Sequence, residues 1–336
     1  MDTAIVILNW NGLHFMKRFL PVLEANTPSE NYFLVVADNG STDGSVEWLK
    51  AEHPKVQVIE FDKNYGFSEG YNRAFRQIDA DYYILLNSDV EVTPGWAETL
   101  INFMEDNPDA GICQPKILSE ARRDSFEYAG AAGGYIDSLG YPFCRGRILS
   151  NIEKDRGQYD EEEEVFWASG ACMVVRASLY HHLGGLDELF FAHMEEIDFC
   201  WRAKLLGFQV WAVPQAAVYH VGGGTLPNNA PRKLYYNYRN NLLMLYKNLP
   251  GNMRWRRIAL RMTLDFCSAM VYLVTFRWEA FKTVFKAHRD YRKLRKQEDP
   301  SVFSEEINDI GLYKGSILLK FFFSGKKLTC DKLRFK

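Results

Sequence analysis

The sequence predicts an α/β fold built on a mainly parallel, mixed central sheet. Three observations lead there. Strand and helix signals alternate through residues 3–86, which is the rhythm of βαβ units. Three of the apolar strand runs stop at polar tips: Asn9-Trp10-Asn11, Asp38-Asn39 and Asn87-Ser88-Asp89. The third is the most informative, because Tyr82-Tyr83-Ile84-Leu85-Leu86 reads as a buried strand that ends in an acidic tip. In a parallel sheet such tips share one edge, and open α/β sheets bind ligands outside the carboxyl ends of their strands. An acid there suits a divalent cation with oxygen ligands, and such a cation commonly carries phosphate.

The elements follow in order. Ala4–Leu8 is a first strand and a helical pattern runs from about Leu13 to Ala25. Phe33–Ala37 is a second strand; the next helix is expected to start near Asp43, whose short acidic side chain suits a cap. Val56–Phe61, a helix over about Ser68–Ile78 and the strand Tyr82–Leu86 complete the first block. Residues 119–164 mix Gly, Arg and acids and read as long surface excursions. Order returns at Val165, with a helix from about Glu195 to Leu206 stopped by Gly207. Phe208–Val213 is a further strand, followed by Val218-Tyr219-His220-Val221-Gly222-Gly223-Gly224. From Pro231 onward the pattern is helical and basic.

Charge is distributed unevenly. Residues 251–336 hold 19 Lys+Arg against 9 Asp+Glu, a net of +10, while residues 1–250 carry a net of −13. A basic tail behind an acidic body points to an anionic surface as partner. Its aromatics come in apolar runs without a nucleic-acid motif, so an anionic membrane is expected and nucleic acid is not. The six cysteines are scattered without a C-x-x-C pair, which fits a reduced, cytoplasmic setting better than a zinc or disulfide framework. The chain opens directly into a strand, with no basic stretch of the signal-peptide kind. Ile258–Phe276 is the most apolar stretch, but Arg261 and Asp265 interrupt it. Its longest uncharged run falls short of the roughly 18 residues a membrane span needs.

Several polar residues at the sheet edge suit one ligand. A carboxylate such as Asp38 accepts a hydrogen bond from the N–H of a pyrimidine base. Amides such as Asn9 and Asn72 complete base or phosphate contacts, and Asp89 is placed to bind a metal that bridges a diphosphate. Taken singly, each also reads as an ordinary turn after a strand.

The ordered motifs Asn9-Trp10-Asn11-Gly12, Val36-Ala37-Asp38-Asn39-Gly40-Ser41-Thr42-Asp43-Gly44-Ser45, Asn64-Tyr65-Gly66-Phe67 and Leu86-Asn87-Ser88-Asp89 resemble those of family-2 glycosyltransferases. The resemblance covers about residues 3–250 and is nearest to the rhamnosyltransferase-like branch. It implies a GT-A nucleotide-sugar-binding fold, with a donor half over about 1–118 and an acceptor half over about 119–250. Residues 251–336 then form a helical, basic extension. It also implies an inverting reaction that uses a nucleotide-diphosphate sugar and Mn²⁺ or Mg²⁺. Asn9, Asn11, Asp38, Asn64, Asn72, Asn87, Ser88 and Asp89 are the implied donor-binding residues. Asn87-Ser88-Asp89 stands where the family has D-x-D, so Asp89 matches the metal-binding acid and Asn87 replaces the first Asp without its charge.

A second segment, Phe190 to Arg202, resembles the family's aromatic, E-D-x-D, arginine motif. The resemblance makes Glu196 the catalytic base, one methylene longer than the family's Asp, with Glu195 or Asp198 as alternatives. Acids in a first helical turn also simply favour the helix dipole. Asp198 and Arg202, at i and i+4, read as a structural pair. His220 aligns with the family's late metal-binding His, and His193 with Glu196 is the competing pair. Trp167, Phe190, Phe191 and Trp201 are candidates for a sugar platform, though aromatics at such spacing also build cores. Arg239, in an Arg-Asn helix like that of family members, joins Trp167 as a candidate acceptor contact. The expected acceptor is a glycan or lipid-linked glycan, reached from the inner face of the cytoplasmic membrane. A sugar nucleotidyltransferase would carry a Gly-rich phosphate loop after the first strand, which Asn9-Trp10-Asn11-Gly12 is not. A non-catalytic glycan-binding protein with a degenerate site is the other alternative.

Overall fold

The computed structural model describes residues 1–28, 30–222, 231–298, 300, 311–324 and 328–333. Gly223 and Gly224, singled out in the sequence, lie outside them. The chain opens with β1 (Thr3–Asn9), α1 (Leu13–Ala25), β2 (Tyr32–Asp38), α2 (Ser45–Glu52), β3 (Gln57–Glu60), α3 (Gly66–Phe75) and β4 (Tyr82–Leu86). These four strands pair in parallel in the order β4-β1-β2-β3, with Asn9 level with Asp38 and Ile7 level with Leu86. The strands are almost continuously apolar because helices cover both faces of the sheet. Asp43 does more than the capping expected of it: it accepts from the amide of Ser45 at 3.1 Å and from that of Leu13 at 2.9 Å. One carboxylate thus ties the starts of α1 and α2 together.

The chain continues through β5 (Val90–Val92), α4 (Trp96–Asp106), β6 (Ala110–Ser119), β7 (Gly134–Ile136), β8 (Pro142–Cys144), β9 (Arg147–Ile148) and β10 (Asn151–Ile152). It then forms β11 (Glu163–Val165), β12 (Cys172–Arg176), α5 (Ala177–His182), α6 (Glu195–Leu205) and β13 (Gln209–His220). The main sheet has nine strands, ordered β11-β13-β6-β12-β4-β1-β2-β3, with β5 on the end of β13. β12 runs antiparallel between β4 and β6 and makes the sheet mixed.

Residues 119–164 are not the surface excursion that their composition suggests. They fold into a second antiparallel sheet, β10-β9-β8-β7, and bury Phe126, Tyr135, Ile136, Phe143 and Ile148 in the main core. Strands of two or three residues have no room to display a period of two, and glycines such as Gly146 (φ +100°) turn the chain between them.

The division at residue 250 is likewise not a packing boundary. After β13 come α7 (Pro231–Asn248), α8 (Gly251–Val274), α9 (Trp278–Leu294) and α10 (Ile317–Ser324). Leu242 of α7 and Leu249 just past its end share one apolar core with Phe166, Trp201, Ile258 of α8 and Tyr291 of α9. The end of the chain returns to the small sheet: Ile317 donates its amide to Asp137 at 2.9 Å, and Leu328 accepts from Asn151 at 2.7 Å. Among the described residues no helix is long and apolar enough to cross a membrane.

An ionic network sits where α7, α8 and α9 meet. Asp265, 1% exposed, accepts from Arg261 Nε at 2.9 Å and pairs with His288 at 3.0 Å. Arg261 also donates to Asn241 and lies 3.8 Å from the centre of the Tyr141 ring. Removing one member of such a network strands the others without water. Asp265→Ala is therefore expected to lower stability by about 3–5 kcal/mol, read as a shift of the urea unfolding midpoint at unchanged slope. Loss of less than about 1 kcal/mol would show that the helices are held by apolar packing alone.

Candidate functional site

The carboxyl edge of the parallel strands is closed by a ring of short polar bonds. Asn9 donates through Nδ2 to Asp38 at 2.9 Å and to Ser41 at 3.2 Å, and Asp38 accepts the Ser41 amide at 2.8 Å. Asn11, at φ +50°, accepts the Thr42 amide at 2.8 Å and donates its own amide to Ser41 at 2.8 Å. Asn9 Oδ1 is buried with no protein partner and lies 2.4 Å from where a Cβ on Gly12 would stand. Ser88 Oγ is 3.2 Å from the same point. Glycine at position 12 thus keeps a polar notch open between Asn9 and Ser88. Asn64 accepts the Gly66 amide at 2.8 Å and, at 3.2 Å, the side chain of Asn39. Its oxygen therefore shapes the turn into α3.

Asn87 and Asp89, beyond β4, meet His220 at the end of β13 because β5 pairs antiparallel with that strand, Val90 level with His220. His220 Nε2 is 3.1 Å from Asp89 Oδ1 and 3.4 Å from Asn87 Nδ2. Its Nδ1 faces Glu127 Oε2 at 3.6 Å. Burial alone would pull the imidazolium down, but Asp89 and then Glu127 outweigh it and push its pKa up to about 10. Glu127 is itself held below its usual range, its burial outweighed by the bond and charge of His220. No sequence signal marks Glu127, which lies in the Gly- and Arg-rich stretch. Among the described residues no three His, Cys, Asp or Glu side chains are arranged to hold a metal by themselves. Asp89 and His220 nevertheless fit as two ligands of one cation that would take the place of the imidazole's Nε2 proton: their facing atoms are separated by about the distance between neighbouring ligands in an octahedral shell. Glu127 beyond them is a partner of the kind that orients a ligating imidazole.

The second half of the site is the loop entering α6. Phe191, His193 and Met194 all have positive φ, at +64°, +69° and +76°, a strain of order 1–3 kcal/mol for each non-glycine residue. Asn240 of α7 holds that loop. Its Nδ2 lies 3.0, 2.9 and 2.7 Å from the carbonyl oxygens of Phe190, Ala192 and His193. Arg239 adds bonds of 2.9 Å to the carbonyls of Leu189 and Phe190. The loop also reaches the donor rim, since Phe191 accepts the Phe67 amide at 2.7 Å and its ring occupies the space a Cβ on Gly66 would need.

Just past the strained residues, Glu195 and Glu196 each keep one buried oxygen without a protein partner, as does His193 at Nε2. Burial pushes Glu196 up to about 7. Burial and then the neighbouring Glu196 charge push Glu195 well above the usual carboxylate range. His193 is held down to about 4, by burial and then by the charge of Lys233. Lys233 is itself held below its usual range by burial, against the opposing pull of the Glu127 charge.

Other residues marked in the sequence have structural work here. Asp198 is fully buried and bound to Arg202 at 2.8 Å, Lys247 at 3.2 Å and Asn248 at 2.7 Å, so it has no free oxygen to act as a base. Asn72 donates to Leu186 and accepts from Tyr180 and from the Leu186 amide, pressed against Gly185. It braces the Gly184-Gly185 turn and does not face the donor rim. Trp167 lies flat on Gly134 and donates to the Tyr135 carbonyl at 3.0 Å. Phe190 and Trp201 are core residues, and only Phe191 of the expected platform stays partly open, stacked on Tyr236 at 5.7 Å. Arg239 is occupied with the base loop.

Comparison with known proteins agrees with the motifs. The family model for glycosyl transferase family 2 matches residues 4–184. An N-acetylglucosaminyl-diphospho-decaprenol L-rhamnosyltransferase of Mycobacterium tuberculosis is 28% identical over 278 residues, 77% of this chain and 88% of that protein. Among solved structures, S. aureus TarS 1–349 in complex with UDP-GlcNAc superposes with a TM-score of 0.56 at 15% identity, over 87% of this chain and 80% of that one. A mannosyltransferase from Pyrobaculum calidifontis, solved with GDP-Man and Mn²⁺, gives 0.53 at 11% identity, over 86% of each chain. At these identities the structures speak for the fold, which is GT-A.

Asn240→Ala removes the side-chain donor of the Ala192 and His193 carbonyls, while Phe190 keeps its bond to Arg239. It is expected to cost about 2–3 kcal/mol of stability and to speed amide hydrogen exchange across residues 191–195 more than across α7 itself. Uniform exchange changes would show that the loop holds its strained shape unaided.

Proposed function

This chain belongs to glycosyl transferase family 2, and on that premise we propose that it transfers rhamnose from a nucleotide-diphosphate sugar to a lipid-linked glycan. The acceptor places the enzyme at the inner face of the cytoplasmic membrane, in the building of a cell-surface polysaccharide. The relative from Mycobacterium tuberculosis, named for rhamnosyl transfer to a diphospho-decaprenol sugar, supports that choice of sugar and acceptor. The observation that carries the reading is the meeting of Asn87, Asp89 and His220 at the strand edge, in a fold where the start of α3 is bonded to the loop that leads into Glu196.

On this reading the nucleotide lies along Asn9, Asn11 and Asp38, and its diphosphate reaches the notch at Gly12 and Ser88. Asp89 and His220 would hold Mn²⁺ or Mg²⁺, which when bound offsets charge on the departing diphosphate. Glu196 takes the proton from the acceptor hydroxyl as that oxygen bonds to the sugar's C1 and the C1–O bond to the diphosphate breaks. Attack from the face opposite the leaving group inverts the anomeric centre. Burial and then the neighbouring Glu196 charge hold Glu195 well above the usual carboxylate range, so the two carboxyls resist carrying charge at the same time. The strained loop keeps both carboxyls fixed, so little ordering remains to be done when the acceptor arrives.

The base must be ionised to accept a proton. Because Glu196 is raised to about 7, kcat/KM is expected to be full above that pH and to fall about tenfold per unit below it. Glu196→Gln should remove the dependence along with about 10²–10⁴ of the rate, while donor binding persists. Full activity in that variant moves the base to Glu195.

The metal site is tested by Mn²⁺ titration followed by electron paramagnetic resonance, with a nucleoside diphosphate present. Asp89→Ala should abolish specific binding, and Glu127→Gln should weaken it about 10–100-fold. If no nucleoside diphosphate binds with any divalent metal, the transferase reading of this site fails.

A further inference from the structure

Helix α8 is built inside out. Its charged residues Arg254, Arg261 and Asp265 are buried against α7 and α9, while Leu260, Phe266, Val271 and Val274 face outward. Val274 is 69% exposed, and Phe276 beyond the helix end is 79% exposed. The outward face from Ala259 to Val274 carries no charge at all. It continues onto α9, where Phe285 meets Phe266 edge-on at 6.4 Å and Phe281 at 5.0 Å. Scattered exposed apolar residues need no explanation, but a contiguous face of this kind marks an interaction surface.

We propose that this α8–α9 face is a monotopic docking surface that sinks into the acyl layer of an anionic bilayer. Charge decides between a bilayer and a second copy of the chain. Arg256, Arg277, Lys282, Lys286 and Arg289 are exposed on the same two helices and the turn between them, within a region of net charge +10. Face-to-face pairing would set two such basic rims against each other, whereas anionic headgroups complement them. The inward network explains how so apolar a face is presented. Asp265, bonded to Arg261 and His288, fixes which side of α8 faces the protein, leaving only the apolar side for the partner. This contact differs in kind from adsorption of a basic tail: its affinity resides in buried apolar area and survives salt that screens the charges. It rests on the reading above only in that a lipid-linked acceptor lies in a membrane.

Cys267, on the outward face of α8, is the one exposed cysteine of the six, so the unmodified protein accepts a single environment-sensitive thiol label there. Vesicles of phosphatidylcholine with phosphatidylglycerol are expected to float the protein and to shift the label's emission to the blue. A substantial bound fraction should remain at high salt. Val271→Asn with Val274→Asn should lower the vesicle partition coefficient roughly tenfold to a hundredfold at low and high salt alike, with the melting temperature unchanged. Lys282→Gln with Lys286→Gln should weaken binding only at low salt. The proposal is overturned by three results: no flotation and no emission shift; equal flotation of the Val271/Val274 variant; or a lipid-free dimer in sedimentation that this variant dissolves. Metal-dependent hydrolysis of the donor sugar, followed on the same preparations, should be the same in wild type and variants. Its loss in all of them would count against the transferase site and not against this surface.

Discussion

Strand β13 is the constraint on which the rest depends. It pairs with β11 and β6 along its length and with β5 at its end. Through it β6, β11, β5 and the His220 cluster become one object. A slip of one residue would turn every side chain on the strand to the opposite face, taking His220 away from Asp89. The register is pinned by an irregularity between Val213 and Ala217, where Pro214 interrupts the ladder. On either side of it Val210, Ala212 and Val218 are buried, so the apolar pattern and the placing of His220 against Asp89 are set together.

The site is costly for the fold, and the surroundings are arranged accordingly. Glu195 and Glu196 sit largely out of water, next to one another, at the end of a loop with three left-handed residues. Each of those features favours local opening. Against them stand the Asn240 and Arg239 clamp on the loop and the buried Asp198 network one turn into α6. Asp198, unlike its neighbours, is held below the usual carboxylate range, its burial outweighed by Lys247 and then Arg202. Glu195 and Glu196 thus differ from Asp198 in environment, and α7 serves both: Lys247 and Asn248 bind Asp198, while Asn240 and Arg239 hold the loop ahead of the two glutamates. That shared dependence on α7 is why the helical region cannot be treated as an appendage to a finished catalytic domain.

Much of this was legible in the chain, and the exceptions have physical causes. The four parallel strands read correctly because strands buried on both faces are unbroken apolar runs, and their tips fell on one edge as parallel pairing requires. Residues 119–164 were misread because short strands between glycines carry no periodicity, and because buried Arg145 and Arg147 look like surface charges in sequence. Asn72 has the composition of a ligand contact, but its partners at Tyr180 and Leu186 lie more than a hundred residues away. Glu127 has no local signature whatever. Asn240 was visible within Tyr235-Tyr236-Asn237-Tyr238-Arg239-Asn240-Asn241, yet only coordinates reveal that its partners are backbone carbonyls, which sequence patterns do not record.

The neutral Asn87 in place of an acid changes the electrostatics of the strand tip in a way the structure helps to explain. With one carboxylate at the tip, a divalent cation would keep much of its charge and have little to hold it in the absence of donor. Glu127 places a second carboxylate behind His220 instead of beside Asp89. From there, on the proposed assignment, it would stay out of the coordination shell and would polarise and orient the imidazole. An acid at position 87 would add its charge directly to the shell, where the donor's diphosphate also has to fit. On the proposed assignment, moving the second negative charge back by one side chain leaves that room to the diphosphate, so that the cation is held firmly only when the donor is present.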